Sequence, residues 1–391
     1  MTPTSLFQDQ TLPKLPTGSG VLPYQAIRGL IDRGQLRAEN EIEEAQLQPA
    51  SIDLRLGSVG YEVRASFLPG PKTTVKEMVD SLVVDEIDLD RGAILRRGSV
   101  YILTLQESCV RTSLLGRANP KSTTGRLDLF TRLITDRADN FDQVKKGYTG
   151  PLYVEVSPKT FNVRVRTGSK LNQLRFFRGI SAQLDMSREA LRSKARLDGE
   201  NLIYGSDGEP RRTKADNGVW FSVDLQERSE GILGWKAVEH APVIDLELIN
   251  HYDPEEFWEP VHPRGDSRLI LMPGDFYILG SKERVSVPPT FAAEMIPYDP
   301  AMGEFRVHYA GFFDPGFGYG HGERKGTRAV LEVRSYEVPY LMQDGQRIGR
   351  LSYQRLLEEP TKLYGVEGVG SNYQDQGLGL SKQFRQPKGS S

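Results

Sequence analysis

Residues 116–129, GRANPKSTTGRLDL, place Lys121, Ser122 and Thr123 in a row with Arg126 three positions on. Ammonium, guanidinium and hydroxyl groups are the side chains that meet an oxyanion with strong hydrogen bonds. The obvious chemistry is a phosphate-binding P-loop, G-x-x-x-x-G-K-[ST], whose glycines let backbone N–H groups curl round the phosphates. Counted back from Lys121, those glycines fall at positions occupied by Leu115 and Pro120. Proline has no N–H and a fixed φ, so that cradle cannot form. Taken alone, the stretch reads as a polar turn between two strands.

A second chemical element occurs twice. Glu155 ends the apolar run LYVEV and Glu332 ends AVLEV. Both belong to a longer repeat. ILRRGSVYIL (94–103) returns as ILMPGDFYIL (270–279), with six of ten positions identical. GSKLNQLRF (168–176) parallels GQRIGRLSY (345–353), and PASIDLRLG (49–57) has a shorter echo in PVIDLELIN (242–250). The spacings agree: Tyr101 to Glu155 is 54 residues and Tyr277 to Glu332 is 55, while Gly168 and Gly345 each follow their glutamate by 13. Matches in register argue for a duplicated domain, with halves at 1–200 and 201–391. The joint, about 195–240, is rich in charge and glycine and reads as a linker.

The register gives each half a different inventory. Tyr298 and Met302 stand opposite Ser122 and Arg126, so the second half lacks the polar loop. It has instead VHYAGFFDPGFGYG (307–320), where the first half has a longer segment without the Asp-Pro-Gly turn. Only the glutamate is common to both. Each half has kept a different part of one site, or one half has simply drifted.

The bulk numbers narrow the classes. Fifty basic and 52 acidic residues leave a net charge of −2, which gives no global attraction to nucleic acid or membrane. Cys109 is the single cysteine, so neither an internal disulfide nor a cysteine-based zinc site is available, and a reducing, cytoplasmic setting fits. No apolar run approaches the roughly 20 residues of a membrane span. The first 20 residues lack the pattern of a signal peptide and read as a leader.

The elements that must position these groups are short. PYQAIRGLIDRGQL (23–36) predicts a helix with Ala26, Ile27, Leu30 and Ile31 on one face, and MSREALRSKARL (186–197) predicts a second with Ser187 as its cap. SVYILTL (99–105), GPLYVEV (150–156) and GTRAVLEV (326–333) predict strands. Short strands punctuated by Gly, Pro and Asp predict an all-β chain with few short helices, a barrel or jelly roll in each half.

Together QPASIDLRLG (48–57), the Lys-Ser-Thr-Thr-Gly-Arg loop, HYAGFFDPGF, AVLEV and IGRLSY resemble dCTP deaminase, of the trimeric dUTPase-like superfamily. GVLPYQAIRGLIDRGQL (20–36) looks like that family's first helix, and GSNYQDQGLGLSKQF (370–384) like its nucleotide-closing tail. The resemblance covers about 20–176 once and 242–386 again, so it implies a fused, double-length form: two tandem distorted jelly-roll, dUTPase-like domains, with the closing tail at 364–386. It further implies a homotrimer or higher homo-oligomer, dCTP or dUTP as the small-molecule partner, and a site shared between neighbouring domains. Lys121, Ser122, Thr123 and Arg126 match one side of such a site. His308, Ala310, Gly311, Asp314, Glu332, Tyr364 and Gln376 match the other.

The implied reaction replaces the 4-amino group of cytosine by oxygen. One carboxylate can take the proton of the attacking water and return it to the leaving nitrogen if burial raises its pKa. Glu332 is the expected carboxylate, with Glu155 the alternate. Ser122 and Arg126 would hold the water and the developing charge. Lys121, Ser122 and Thr123, completed by Tyr364 and Gln376, would hold the phosphates. Asp314 would accept from the sugar hydroxyl, and His308 would shape the sugar pocket. Mg²⁺ would arrive with the triphosphate. HGE (321–323) imitates the H-x-E of zinc deaminases, but those also need P-C-x-x-C, and with Cys109 alone no zinc is expected. Lys121 stands where the family has arginine, and Asn372 where the tail often has lysine. A dUTP pyrophosphatase, a bifunctional enzyme and a non-catalytic nucleotide-binding protein are the competing readings.

Overall fold

The three apolar runs form the strands expected of them: Val100–Cys109, Gly150–Pro158 and Thr327–Ser335. The computed structural model describes residues 18–179, 201–211, 218–226, 231–263, 265–296, 305–307, 311–320, 325–335, 337–365 and 378–385. Among these the chain is all-β with three short α-helices, Tyr24–Asp32, Val75–Leu82 and Ser122–Gly125. The first helix buries Ala26, Ile27 and Leu30 as its periodicity requires. It ends sooner than the sequence suggested: Gly34 adopts φ 64°, and Leu36–Ala38 turns into a strand. The segment expected as a second helix, 186–197, lies outside the described residues.

The duplication appears in the hydrogen-bond register. In the first half Tyr101 pairs with Val156, Ile102 with Glu155 and Leu103 with Val154. In the second half Tyr277 pairs with Val333, Ile278 with Glu332 and Leu279 with Leu331. Both copies are distorted jelly rolls of the dUTPase-like kind. In the first, Gly150–Pro158 lies between Leu129–Thr135 and Val100–Cys109, followed by Ile52–Val63, Lys170–Arg178 and Leu115–Pro120. In the second, Arg347–Arg355 lies between Val219–Ser222 and Phe291–Ile296, as Lys170–Arg178 lies beside Leu115–Pro120.

The linker reading of 195–240 needs correction. Ile203–Tyr204, Val219–Ser222 and Gly234–Ala237 are strands of the second copy, because Ile203, Val219, Phe221 and Leu233 have an apolar core to enter. Charge and glycine between these short runs masked them.

The copies share much of their interior. Phe257, Trp258, Phe276, Leu380 and Phe384 pack into the first copy's core, where Trp258 meets Phe161 edge to face at 5.3 Å. Strand Ile244–Asp245 adds in parallel to Val163–Val165 of the first copy. Asp245 then accepts both arms of the Arg166 fork at 2.7 and 2.8 Å.

Candidate active site

The Lys-Ser-Thr stretch is a single helical turn, Ser122–Gly125, between strands Leu115–Pro120 and Leu129–Thr135. Lys121 is extended, and its N–H donates to the Leu171 carbonyl at 2.9 Å. The Thr124 hydroxyl donates to the same carbonyl at 2.7 Å. With Thr123 and Thr124 buried, the turn is fixed and aims its charged end residues outward into a cleft between the copies.

That cleft unites residues more than 180 positions apart. The first copy contributes Lys121, Ser122, Thr123 and Arg126, and the second Gly311, Asp314, Glu332 and Tyr364. His308, Ala310 and Gln376 lie outside the described residues, as do Tyr298 and Met302. Gln48, Gln173, Arg328, Phe313 and Phe317 also line the cleft and were not proposed from the sequence. Arg328 was legible: in RAVLE, strand alternation puts residues 328, 330 and 332 on one face. Ala329, Leu331 and Val333 are turned into the second copy's core.

Glu332 is only 5 % exposed. Burial drives its carboxyl up to about 7; the Arg126 guanidinium opposes this and the Asp128 carboxylate adds to it. Arg126, equally buried, donates from Nη1 to the carbonyls of Gly379 at 2.6 Å and Leu380 at 3.4 Å. A clamp holds the two together. Arg334, two residues beyond Glu332, is ion-paired with Asp128, two residues beyond Arg126, and donates to the Thr160 hydroxyl at 2.8 Å.

Asp314 is buried beside Arg175 of the first copy, whose Nη2 donates to Oδ1 at 3.2 Å. Arg175 has no exposed side-chain surface. It also donates to the Ala293 carbonyl at 3.1 Å and stacks 3.9 Å from the Phe312 ring centroid. Burial raises the Asp314 carboxyl and Arg175 counters it. The Asp-Pro-Gly turn depends on Gly316, at φ 95°, where a Cβ would stand 3.0 Å from the Tyr364 backbone. Tyr364 then donates its N–H to Pro315 at 2.8 Å and packs its ring on Phe317.

Lys121 is already engaged, forming an ion pair with the buried Asp53, which also accepts from Gln48 at 3.4 Å. Glu155 is not in the cleft. It is buried between Ile102 and Arg132 on neighbouring strands, where burial raises its carboxyl and the Ser66 side chain hydrogen-bonds it. Residues 64–82 join two paired strands of the first copy, and helix Val75–Leu82 within them packs against Ile102 and Ile134 over the same strands. The second copy makes the equivalent connection with residues 238–257, whose Ile244 and Phe257 enter the first copy's core instead. That helix covers the position in the first copy that Glu332 leaves open in the second.

Comparison with known proteins agrees over most of the chain. The family model described as 2′-deoxycytidine 5′-triphosphate deaminase N-terminal domain matches residues 18–180, and its C-terminal-domain counterpart matches 189–384. Curated relatives named "dCTP deaminase, dUMP-forming" include one from Streptomyces coelicolor, 33 % identical over 142 residues, covering 34 % of this chain and 70 % of the relative. One from Halobacterium salinarum is 36 % identical over 165 residues, covering 39 % and 78 %. The crystal structure of 2′-deoxycytidine 5′-triphosphate deaminase from Agrobacterium tumefaciens superposes with a TM-score of 0.80 at 46 % identity, over 88 % of this chain and 99 % of that one.

Proposed function

Because the chain belongs to the 2′-deoxycytidine 5′-triphosphate deaminase family, we propose that it hydrolyses dCTP to dUTP and ammonia in the cleft between its two copies. One observation carries this reading: Glu332 and Arg126, from different copies, share that cleft, and the Glu332 carboxyl lies near 7. A carboxyl there is ionised enough to take a proton from water and protonated enough to give one back. Water adds to C4 as Glu332 accepts its proton. The tetrahedral intermediate collapses as Glu332 returns the proton to the amino nitrogen, which leaves as ammonia. Arg126 and Ser122 hold the water and the charge that develops.

Substrate binding follows from the remaining lining. Asp314, fixed by Arg175, accepts from the sugar hydroxyl. Ser122, Thr123 and Lys121 receive phosphate, Lys121 sharing its ammonium between phosphate and Asp53, and Tyr364 and Gln376 close over it. Mg²⁺ travels with the triphosphate as part of the substrate. The chemistry is zinc-independent in this reading. Cys109 is buried in the first copy's core, with its thiol pushed up to about 12. We further propose domains at 1–200 and 201–391, assembly as a homotrimer or larger homo-oligomer, and a product that feeds thymidine nucleotide synthesis.

The names of the curated relatives favour a second reading, in which the triphosphate is also cleaved and dUMP is released. Incubation with dCTP and with dUTP, assaying ammonia and pyrophosphate separately, distinguishes the two. Ammonia alone from dCTP supports simple deamination. Pyrophosphate as well supports the bifunctional enzyme. Neither product leaves a nucleotide-binding protein without catalysis.

A further inference from the structure

The strand bearing Glu332 brings a second charged group into the cleft that the reaction above leaves without a task. Arg328 stands four residues before Glu332 on the same strand face. Its side chain is largely withdrawn from solvent, 18 % exposed, and its one ion pair among the described residues, with Asp224, spans 3.8 Å. That is beyond hydrogen-bond length. Nε is buried and meets no acceptor among the described residues. Burial accordingly pulls the guanidinium pKa down. A withdrawn cation with a distant counter-ion is costly to keep, and its planar fork suits an oxyanion that can take two N–H groups at once. Lys121 differs in this respect, because Asp53 already meets its charge closely.

We propose that Arg328 binds the β- and γ-phosphates of the nucleotide and so sets a preference for the triphosphate over the monophosphate. The inference rests on the deaminase reading of the cleft. A strand rises about 3.3 Å per residue, so the backbones of Arg328 and Glu332 stand about 13 Å apart. With cytosine C4 at Glu332, a pyrimidine ring alone does not span that distance. The part of the nucleotide farthest from C4 is its phosphate chain.

The test measures dCTP and dCMP binding by calorimetry in the full-length chain, in a Glu332→Gln background that prevents turnover, with and without Arg328→Met. Loss of a charge-assisted fork weakens dCTP binding about tenfold or more, while dCMP binding stays within about twofold. Arg328→Lys, which keeps the charge and loses the fork, weakens dCTP binding about threefold. It also carries the comparison if the Met variant does not fold by circular dichroism. Undiminished dCTP affinity in the variants, or equal losses for dCTP and dCMP, overturns the assignment. A parent protein that binds no deoxycytidine nucleotide at all defeats the deaminase reading instead, a separate outcome.

Discussion

Glu332→Gln separates the two consequences expected of burying the carboxyl proposed for catalysis. Burial moves this group from an ordinary value of 4.5 to about 7, a difference worth about 3 kcal/mol of folding free energy. The sign follows from which state holds the proton more tightly, and here it is the folded one. Below about 4.5 the carboxyl is protonated in both states and contributes no difference. Between 4.5 and 7 the unfolded chain ionises first, so stability falls as pH rises. Above about 7 the full penalty stands. Glutamine has nearly the same shape and does not titrate. Urea unfolding should therefore show the variant gaining on the parent with pH, from little difference at pH 4 to as much as about 3 kcal/mol at pH 8. Turnover of dCTP should fall at least about a hundredfold, the contribution of a positioned acid–base group. In the parent, the rate should rise with pH through about 7 as the base ionises. A stability difference that does not vary with pH would refute the burial argument. A variant that still deaminates would remove Glu332 from the reaction.

Three further outcomes follow from the same geometry. Ser122→Ala and Arg126→Ala should each lower dCTP turnover severely, about a hundredfold or more for Arg126; full activity in Arg126→Ala would take the first copy out of the site. Glu155→Gln should keep turnover close to the parent's, since its carboxyl is buried away from the cleft on the face that helix Val75–Leu82 covers; a dead Glu155→Gln enzyme would show the composite assignment to be wrong. Arg175→Met should lower stability by about 3–5 kcal/mol in urea titrations, because it leaves Asp314 buried without its cation, and should raise KM for dCTP; an unchanged KM would separate Asp314 from substrate binding.

What was legible in the sequence was what depends on pattern and spacing. Alternation gave the main strands, and the nearly equal separations of Tyr101 from Glu155 and Tyr277 from Glu332 became a common pairing register. The losses at Tyr298 and Met302 pointed to a site drawn from both copies, and the cleft does join Arg126 to Glu332. What depends on contacts between distant segments was not legible. Lys121 read as a cation awaiting phosphate, whereas Asp53, 68 residues earlier, already pairs with it. The strands within 201–240 were hidden because strands of two to four residues between charged turns carry too little periodicity to stand out. The covering of Glu155 was not legible either, because residues 64–82 and 238–257 connect equivalent strands at nearly equal length and only their packing differs.

The division of labour between the copies explains why they share an interior. In the proposed reaction Arg126 and Glu332 act only at a fixed separation, and residues on two independently mobile domains would not hold one. The chain meets this locally with the Arg334–Asp128–Thr160 clamp, two residues beyond Glu332 and Arg126. It meets it again at the sugar end, where Arg175 joins Asp314 to the first copy. It meets it globally by sinking Trp258, Leu380 and Phe384 into the first copy's core, and this anchors the segment whose Gly379 carbonyl holds Arg126. Once that interface is permanent, the reciprocal site is dispensable. The second copy can lose its loop cations, and the first can cover its glutamate with helix Val75–Leu82. The asymmetry of the repeat is then a consequence of joining the two copies: one well-held site places no demand on the residues of the other.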